Sequence, residues 1–329
     1  MDFRTTLTLP KSSWSFGLTD PVLTLGSCFS ASMGDRLTTR KFDCCANPFG
    51  TTYHPLAIHR LLRMAASGEA PSRDGYVKRQ DLWYHYDFHS SFSAPSRDEL
   101  SLLLGEQVNT VRHFLSRARV MLLTYGTAWS YALKQNQRPV ANCHKVPSGE
   151  FVKWLSAPEE IAADFRHTYK SLTVLNPDLR FVLTVSPVRH VKDTLPLNQV
   201  SKSALRLACH LLQEAESRVD YFPAYELMVD DLRDYRFYAD DLIHPTPFAE
   251  EYIWQKFSET YFNEIAQRFL RQWEPLRQAL SHRPLQPQSD AYREFLSSTL
   301  KQLQQLRSIA DVEKEIASVE EQLLLAQPR

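Results

Sequence analysis

The chain has 329 residues, 43% hydrophobic and 23% charged, the proportions of a soluble globular protein with one large core or a core plus an appendage. Thirty-eight basic residues balance 38 acidic ones, and a formal net charge of zero argues against a dedicated nucleic-acid or anionic-membrane surface. The N-terminus lacks the apolar core of a secretory signal and no run approaches a membrane span, so a cytoplasmic location is expected, with scattered cysteines (Cys28, Cys44, Cys45, Cys143, Cys209) that read as reduced thiols.

Residues 22–25 are β-prone, Gly26 permits a sharp turn, and Ser27 to Ser32 bring small polar residues suited to a helix N-terminus. Ser27 and Cys28 then stand side by side where backbone N–H groups and the helix dipole converge. Such a place lowers a thiol's pKa and offers donors to a developing oxyanion. A buried structural cysteine at an ordinary strand-to-helix turn is the competing reading. Residues 40–55 read as a short strand and a loop of turn formers, where Gly50 lets a backbone N–H approach a ligand and Asn47 holds the loop or donates to the same anion. Asn-Pro-x-Gly is equally an ordinary turn signal.

Helical spacing runs from Pro55 to Ala66 through Leu56, Ile58, Leu61, Leu62 and Met64. Residues 67–80 are polar and irregular, and residues 82–92 alternate like a strand or hairpin. His85 and His89 lie four apart, too far along a strand for a tight pair, so no metal is expected. Residues 97–117 return to helical spacing. Residues 119–125 and 181–185 are continuous apolar runs, each preceded by a helical segment, as parallel strands buried on both faces read.

With residues 22–25 these runs imply a doubly wound sheet, in which ligands sit outside the carboxyl ends of the strands. Gly26-Ser27-Cys28, Gly126-Thr127-Ala128 and the stretch from Ser186 to His190 are therefore expected on one rim. An insertion at residues 140–147 carries Asn142, Cys143, His144 and Lys145, four groups able to donate or accept a proton. Residues 201–217 form an amphipathic helix, and residues 219–226 another strand and turn.

Asp241-Leu242-Ile243-His244 is followed at once by Pro245 and by a helix through Phe248, Ile253 and Phe257. In an Asp-x-x-His turn the carboxylate holds the imidazole N–H and orients the other nitrogen as a general base; a capping Asp beside a surface histidine has the same spacing. Residues 280–289 read as a linker. Beyond them Leu296, Leu300, Leu303, Ile309, Val312, Ile316, Val319 and Leu323 form a heptad-like stripe, interrupted near Leu306. That stripe suits a copy of itself, the chain's own domain or a partner helix; homo-oligomerisation through residues 290–327 is expected. The organisation expected is an α/β domain over residues 1–280, with a linker and coiled-coil-like helix over 281–329.

This set resembles the GSCFA family, placed among the SGNH/GDSL-like hydrolases. The matching pieces are Leu25-Gly26-Ser27-Cys28-Phe29-Ser30, Asn47-Pro48-Phe49-Gly50-Thr51-Thr52-Tyr53, Thr124-Tyr125-Gly126-Thr127-Ala128-Trp129, Asn142-Cys143-His144-Lys145, Ser186-Pro187-Val188-Arg189-His190, and Tyr225-Glu226 through His244-Pro245. They span roughly residues 3–262 and leave the C-terminal stripe outside; Ser30 stands where the family name has alanine. The resemblance implies a flavodoxin-like three-layer α/β/α fold with a parallel sheet, and acyl-ester chemistry.

Within that resemblance, the nucleophile of the first block matches Cys28 and Ser27 takes the place of its aspartate. Ser27 stays as a second candidate, since a serine beside a histidine is an equally valid pair. Gly50 matches the oxyanion glycine of the second block. The third block's asparagine is missing at Ala128, so Asn142 or Asn47 is expected to supply that donor. Asp241 and His244 match the last block. Lys145, Arg189, His190 and Arg236, with His144 beside them in its motif, are expected around a pocket where cations meet a carboxylate or phosphate.

The function expected is an esterase or O-acyltransferase acting on an acylated small molecule or saccharide. No resident cofactor is expected, and a coenzyme A thioester is the acyl donor for transfer. The alternative is a catalytically silent SGNH-like module that binds a ligand or partner and assembles through its C-terminal helix.

Overall fold

Strand and helix alternate through the first half of the chain: β1 (Val22–Gly26), α1 (Cys28–Thr39), β2 (Cys44–Ala46), α2 (Pro55–Ser67), the hairpin β3 (Tyr76–Arg79) and β4 (Leu82–His85), and α3 (Arg97–Arg117). β5 (Val120–Tyr125) is followed by β6 (Trp129–Leu133), β7 (Pro139–Val140) and β8 (Phe151–Leu155), then α4 (Pro158–Leu175), β9 (Arg180–Val185), α5 (Leu195–Ala215) and β10 (Val219–Tyr221). The rest is helical: the single turn α6 (Ala224–Glu226), α7 (Pro247–Tyr261), α8 (Glu264–Leu280), α9 (Asp290–Leu306) and α10 (Glu313–Leu325). This computed structural model describes residues 5–282 and 284–326.

Five strands pair in parallel in the order β10-β9-β5-β1-β2. Read from β2, this is the flavodoxin-like winding, with its switch point between β1 and β5, where such sheets open a crevice beyond their carboxyl ends. Side-chain alternation explains the two covered faces. Leu23, Leu25, Met121, Leu123, Phe181 and Leu183 pack against α2 to α5, whereas Val22, Val120, Leu122 and Val182 pack against α1, α7 and α8. The result is a three-layer α/β/α fold.

On the second face, near the carboxyl ends, the apolar alternation gives way to Thr124 and Thr184. They are register partners on β5 and β9, fully buried, with hydroxyls that have no hydrogen-bond partner among the described residues.

Several elements depart from the expectation. The irregular stretch 67–80 supplies β3, whose partner β4 is the aromatic run. The insertion is larger than residues 140–147: β7-β6-β8 is an antiparallel sheet of its own, packed through Tyr86, Leu133, Val140 and Phe151. The C-terminal stripe is two helices, not one. α9 and α10 fold back on each other, Tyr292 Oη donating to Gln322 Oε1 at 2.7 Å and Arg293 Nη1 to the Ala326 carbonyl at 3.2 Å.

Leu296, Leu303, Leu306, Val312, Ile316 and Val319 join the core formed by Phe16, Leu37 and Trp273. Lys41 Nζ binds Glu315 at 2.6 Å across that boundary. Each fully buried apolar side chain contributes roughly 1.5–3 kcal/mol, so the stripe is a face of the chain's own core. Among the described residues no helix is long and apolar enough to cross a membrane.

Candidate active site

Gly26 ends β1 at φ +147°, and a Cβ there would lie 2.2 Å from the Thr124 carbonyl oxygen, so only glycine lets the chain turn against β5. The turn is stitched on both sides. Gly26 N donates to Asn47 Oδ1 at 2.9 Å, Ser27 N to the Thr124 carbonyl at 3.1 Å, and Thr52 N to the Gly26 carbonyl at 2.9 Å. Gly126 N in turn donates to the Tyr53 carbonyl at 2.8 Å. Three chain segments thus meet where the sheet order reverses.

Ser27 and Cys28 part ways here. Ser27 is the N-cap of α1, only 1% exposed, and its hydroxyl caps nothing and has no hydrogen-bond partner among the described residues. Cys28 opens α1 and is partly exposed. Burial pushes the Cys28 thiol up from its ordinary range; the backbone N–H groups of Phe29 and Cys28 and the Lys202 ammonium pull it down, and Glu250 adds to the rise. Burial is the largest of these, so the thiol is protonated at rest and needs a base to become a nucleophile. The phenol of Tyr53 is raised by burial and by the nearby Cys28 charge, which puts Tyr53 in the same setting.

The base is built on the loop before α7. His244 Nδ1 meets Asp241 Oδ2 at 2.6 Å, and Asp241 Oδ1 accepts the backbone N–H groups of Ile243 and His244 at 2.9 and 3.0 Å. Those bonds, the His244 backbone N–H first, hold the Asp241 carboxyl down to about 2. Leu242, at φ +57°, makes the tight bend between them. Arg189 fastens the loop to the rim: its N–H donates to the Ile243 carbonyl at 3.2 Å, its Nη1 to the Leu242 carbonyl at 3.1 Å, and its guanidinium lies 3.9 Å from the Tyr238 ring centroid. Glu250, six residues after His244, accepts from Ser32 Oγ at 2.8 Å, so the first turns of α7 and α1 touch. Among the described residues no hydrogen bond joins His244 to Cys28, and the His244 Nε2 side stays open.

The other expected residues divide. Gly50, at φ +72°, directs its N–H to the Asn47 carbonyl at 2.7 Å and closes its own turn, and Asn47 lends its amide oxygen to the Gly26 turn. A Cβ on Gly50 would sit 2.5 Å from His89 Cβ, which packs the aromatic loop against this corner. His144 is buried, with Nε2 on the His85 carbonyl at 2.9 Å and Nδ1 on Ser90 Oγ at 3.1 Å, and burial lowers its pKa. Asn142 Oδ1 accepts the His144 N–H at 2.9 Å in a local turn. His190 is half-buried, its N–H on Asn198 Oδ1 at 2.9 Å. Lys145 and Arg236 are exposed. The cations are therefore of two kinds, Arg189 in the scaffold and Lys145 and Arg236 free to meet solvent. No three of the described His, Cys, Asp and Glu side chains converge as a metal site.

A model of the GSCFA family matches residues 21–257, and a model described as the GSCFA domain protein C-terminal domain matches residues 273–324. The chain belongs to the GSCFA family. The second match covers α9 and α10, which the sequence resemblance had left outside. Among solved structures, a carbohydrate esterase family 3 protein from Talaromyces cellulolyticus is similar at 10% identity and a TM-score of 0.34, over 77% of this chain and 99% of that one. No curated protein matched.

In this GSCFA chain sequence reasoning missed Lys202, a buried lysine that ties the ends of β5 and β9. It lies on the buried stripe of α5 with Asn198, Ser201, Leu205, Ala208 and Leu212. Its Nζ donates to the carbonyls of Gly126 and Ser186 at 2.9 and 2.7 Å, and Ser201 Oγ next to it accepts the Ala128 N–H at 2.8 Å. The signal was present: a lysine at helical spacing within an apolar stripe.

Proposed function

We propose that this GSCFA protein is an esterase or O-acyltransferase that forms an acyl-enzyme on Cys28, with His244 as general base held by Asp241. The carrying observation is the Asp241–His244 pair, held by Arg189 to the segment that follows β9. His244 Nε2 takes the thiol proton as sulfur bonds to the acyl carbon. The N–H groups at the start of α1 receive the oxyanion, and the protonated imidazole returns its proton to the leaving alcohol. Water or an acceptor alcohol, deprotonated by His244, then cleaves the thioester.

Exposure favours Cys28 over Ser27 in this role. An apo gap between base and nucleophile is common and closes in the substrate complex. Lys145 and Arg236 suit an acidic substrate, or the phosphates of coenzyme A if a thioester donates the acyl group. Five free thiols suit a reducing cytoplasm.

His244→Ala is expected to lower kcat on a p-nitrophenyl ester by ~10²–10⁴-fold, with KM little changed. Unchanged kcat in that variant and in Asp241→Asn would overturn the assignment. The missing bond between His244 and Cys28 is what favours the second reading, a silent binding module. It requires that Cys28 react with thiol probes no faster than Cys143.

A further inference from the structure

Cys28, Ser32 and Arg36 recur at every fourth residue of α1, and Arg40 is its C-cap, so the four side chains follow one side of the helix. The last three meet α7, and they meet it in order. Ser32 Oγ donates to Glu250 Oε2 at 2.8 Å. Arg36 reaches Glu250 at 3.5 Å and also pairs with Glu251. Arg40, only 2% exposed, reaches Glu251 at 3.2 Å, and its guanidinium lies 4.8 Å from the Trp254 ring centroid. Contacts that advance along both helices together mean that α1 and α7 run side by side in the same direction.

We propose that Glu250 is a positioning residue for the reaction: its bond to Ser32, backed by Arg36, sets the register of α7 on α1 and with it the reach of His244 to Cys28. Four residues back on each helix, one turn toward the rim, that register carries Cys28 to the level of Thr246, the N-cap of α7 and two residues past His244. The loop bearing the base moves with α7. Thr246 N donates to the Phe237 carbonyl at 2.8 Å, Ala239 N to the His244 carbonyl at 2.8 Å, and Thr246 Oγ1 accepts the Ala249 N–H at 3.2 Å. Glu250 takes no proton in the cycle and touches no reacting atom. The carboxylates of Glu250 and Glu251 are 26% and 38% exposed, and ion pairs this open add little to stability, so loss of the clasp is read in the chemistry before it is read in folding. This inference rests on His244 acting on Cys28.

The full-length protein and its Glu250→Ala, Glu250→Gln and Ser32→Ala variants are assayed on a p-nitrophenyl ester, each also in a His244→Ala background, with matched thermal unfolding. Glu250→Ala is expected to lower kcat roughly 10–100-fold with KM little changed, since a shift of about 1 Å between reacting groups is enough. Ser32→Ala removes the same bond from the α1 side and is expected to show the same split between kcat and KM. Glu250→Gln still accepts from Ser32 Oγ, while Arg36 keeps Glu251, and is expected to retain most of kcat. With His244 gone there is no base to place, so Glu250→Ala/His244→Ala is expected to be no slower than His244→Ala alone. Wild-type kcat in folded Glu250→Ala or Ser32→Ala overturns the proposal, as does an undiminished loss in the His244→Ala background or a Glu250→Gln protein as slow as Glu250→Ala. Failure of the acyl-enzyme reading has a different mark, a kcat that His244→Ala itself leaves unchanged.

Discussion

Cys28→Ala is expected to lower kcat/KM for ester hydrolysis by at least ~10⁴-fold, about 5 kcal/mol of transition-state stabilisation, because the proposed cycle carries the acyl group on the Cys28 sulfur. Ser27→Ala is expected to leave kcat/KM within about tenfold of the wild type. The Ser27 hydroxyl is buried and bonded to nothing, so its removal strands no partner and is nearly neutral for stability. Steady-state kinetics on a p-nitrophenyl ester, with matched thermal unfolding, separates the two. The reverse pattern, an active Cys28→Ala and an inactive Ser27→Ala, moves the nucleophile one residue back.

Acidification is expected to unfold the protein well before most carboxylates titrate. His54 is buried; its Nδ1 accepts the Leu56 N–H as the N-cap of α2, and its Nε2 reaches Ser130 Oγ at 2.5 Å and the Ala128 carbonyl at 3.2 Å. Burial lowers its pKa to about 3. Protonation would break the cap and put a positive charge at the positive end of a helix.

The sign is unambiguous. Between about pH 6.5 and pH 3 the unfolded histidine binds a proton and the folded one does not, so stability is full above that window and falls with pH inside it. Each unit costs about 1.4 kcal/mol from His54, and His59, His85 and His144, also lowered chiefly by burial, act in the same direction. Urea unfolding at pH 7.0 and 5.0 is expected to differ by at least about 2 kcal/mol. Equal midpoints and slopes at the two pH values would contradict the buried, neutral state of His54. Because Tyr53, next in the chain, holds Gly126, loosening His54 is expected to disturb the site first.

Much of this architecture was legible because burial on both faces leaves a plain mark. The runs ending at Gly26, Tyr125 and Val185 are continuous and apolar, and they became the three adjacent central strands. Asp241 and His244 were legible for a local reason: at three residues apart, one turn brings carboxylate and imidazole together whatever the rest of the chain does.

What escaped depends on distant partners. Trp129–Leu133 pairs with a segment about 20 residues on and is only half-buried, so its alternation is weak. The roles of Gly50 and Asn47 turn on the β1–β2 register, which brings the Asn47 side-chain amide to the Gly26 turn while the Gly50 N–H closes the turn after β2 on the Asn47 carbonyl. Lys202 was hidden because a charged residue reads as solvent-facing until the strand ends that receive it are in place. The C-terminal stripe carries the same threes and fours whether it is one helix or two, and the chain leaves the helix between Leu306 and Glu313 with Ile309 and Ala310 still packed on the core.

Cys28 as the acyl carrier is tested most directly by trapping. The protein is mixed with p-nitrophenyl acetate, quenched in acid within the first turnovers and digested, and each cysteine and serine peptide is weighed. The expected result is one acetyl group on the peptide beginning α1, at Cys28, lost on hydroxylamine treatment as a thioester and absent in Cys28→Ala. Acetyl on Ser27, or hydrolysis at the wild-type rate in Cys28→Ala with no acyl adduct, would contradict it.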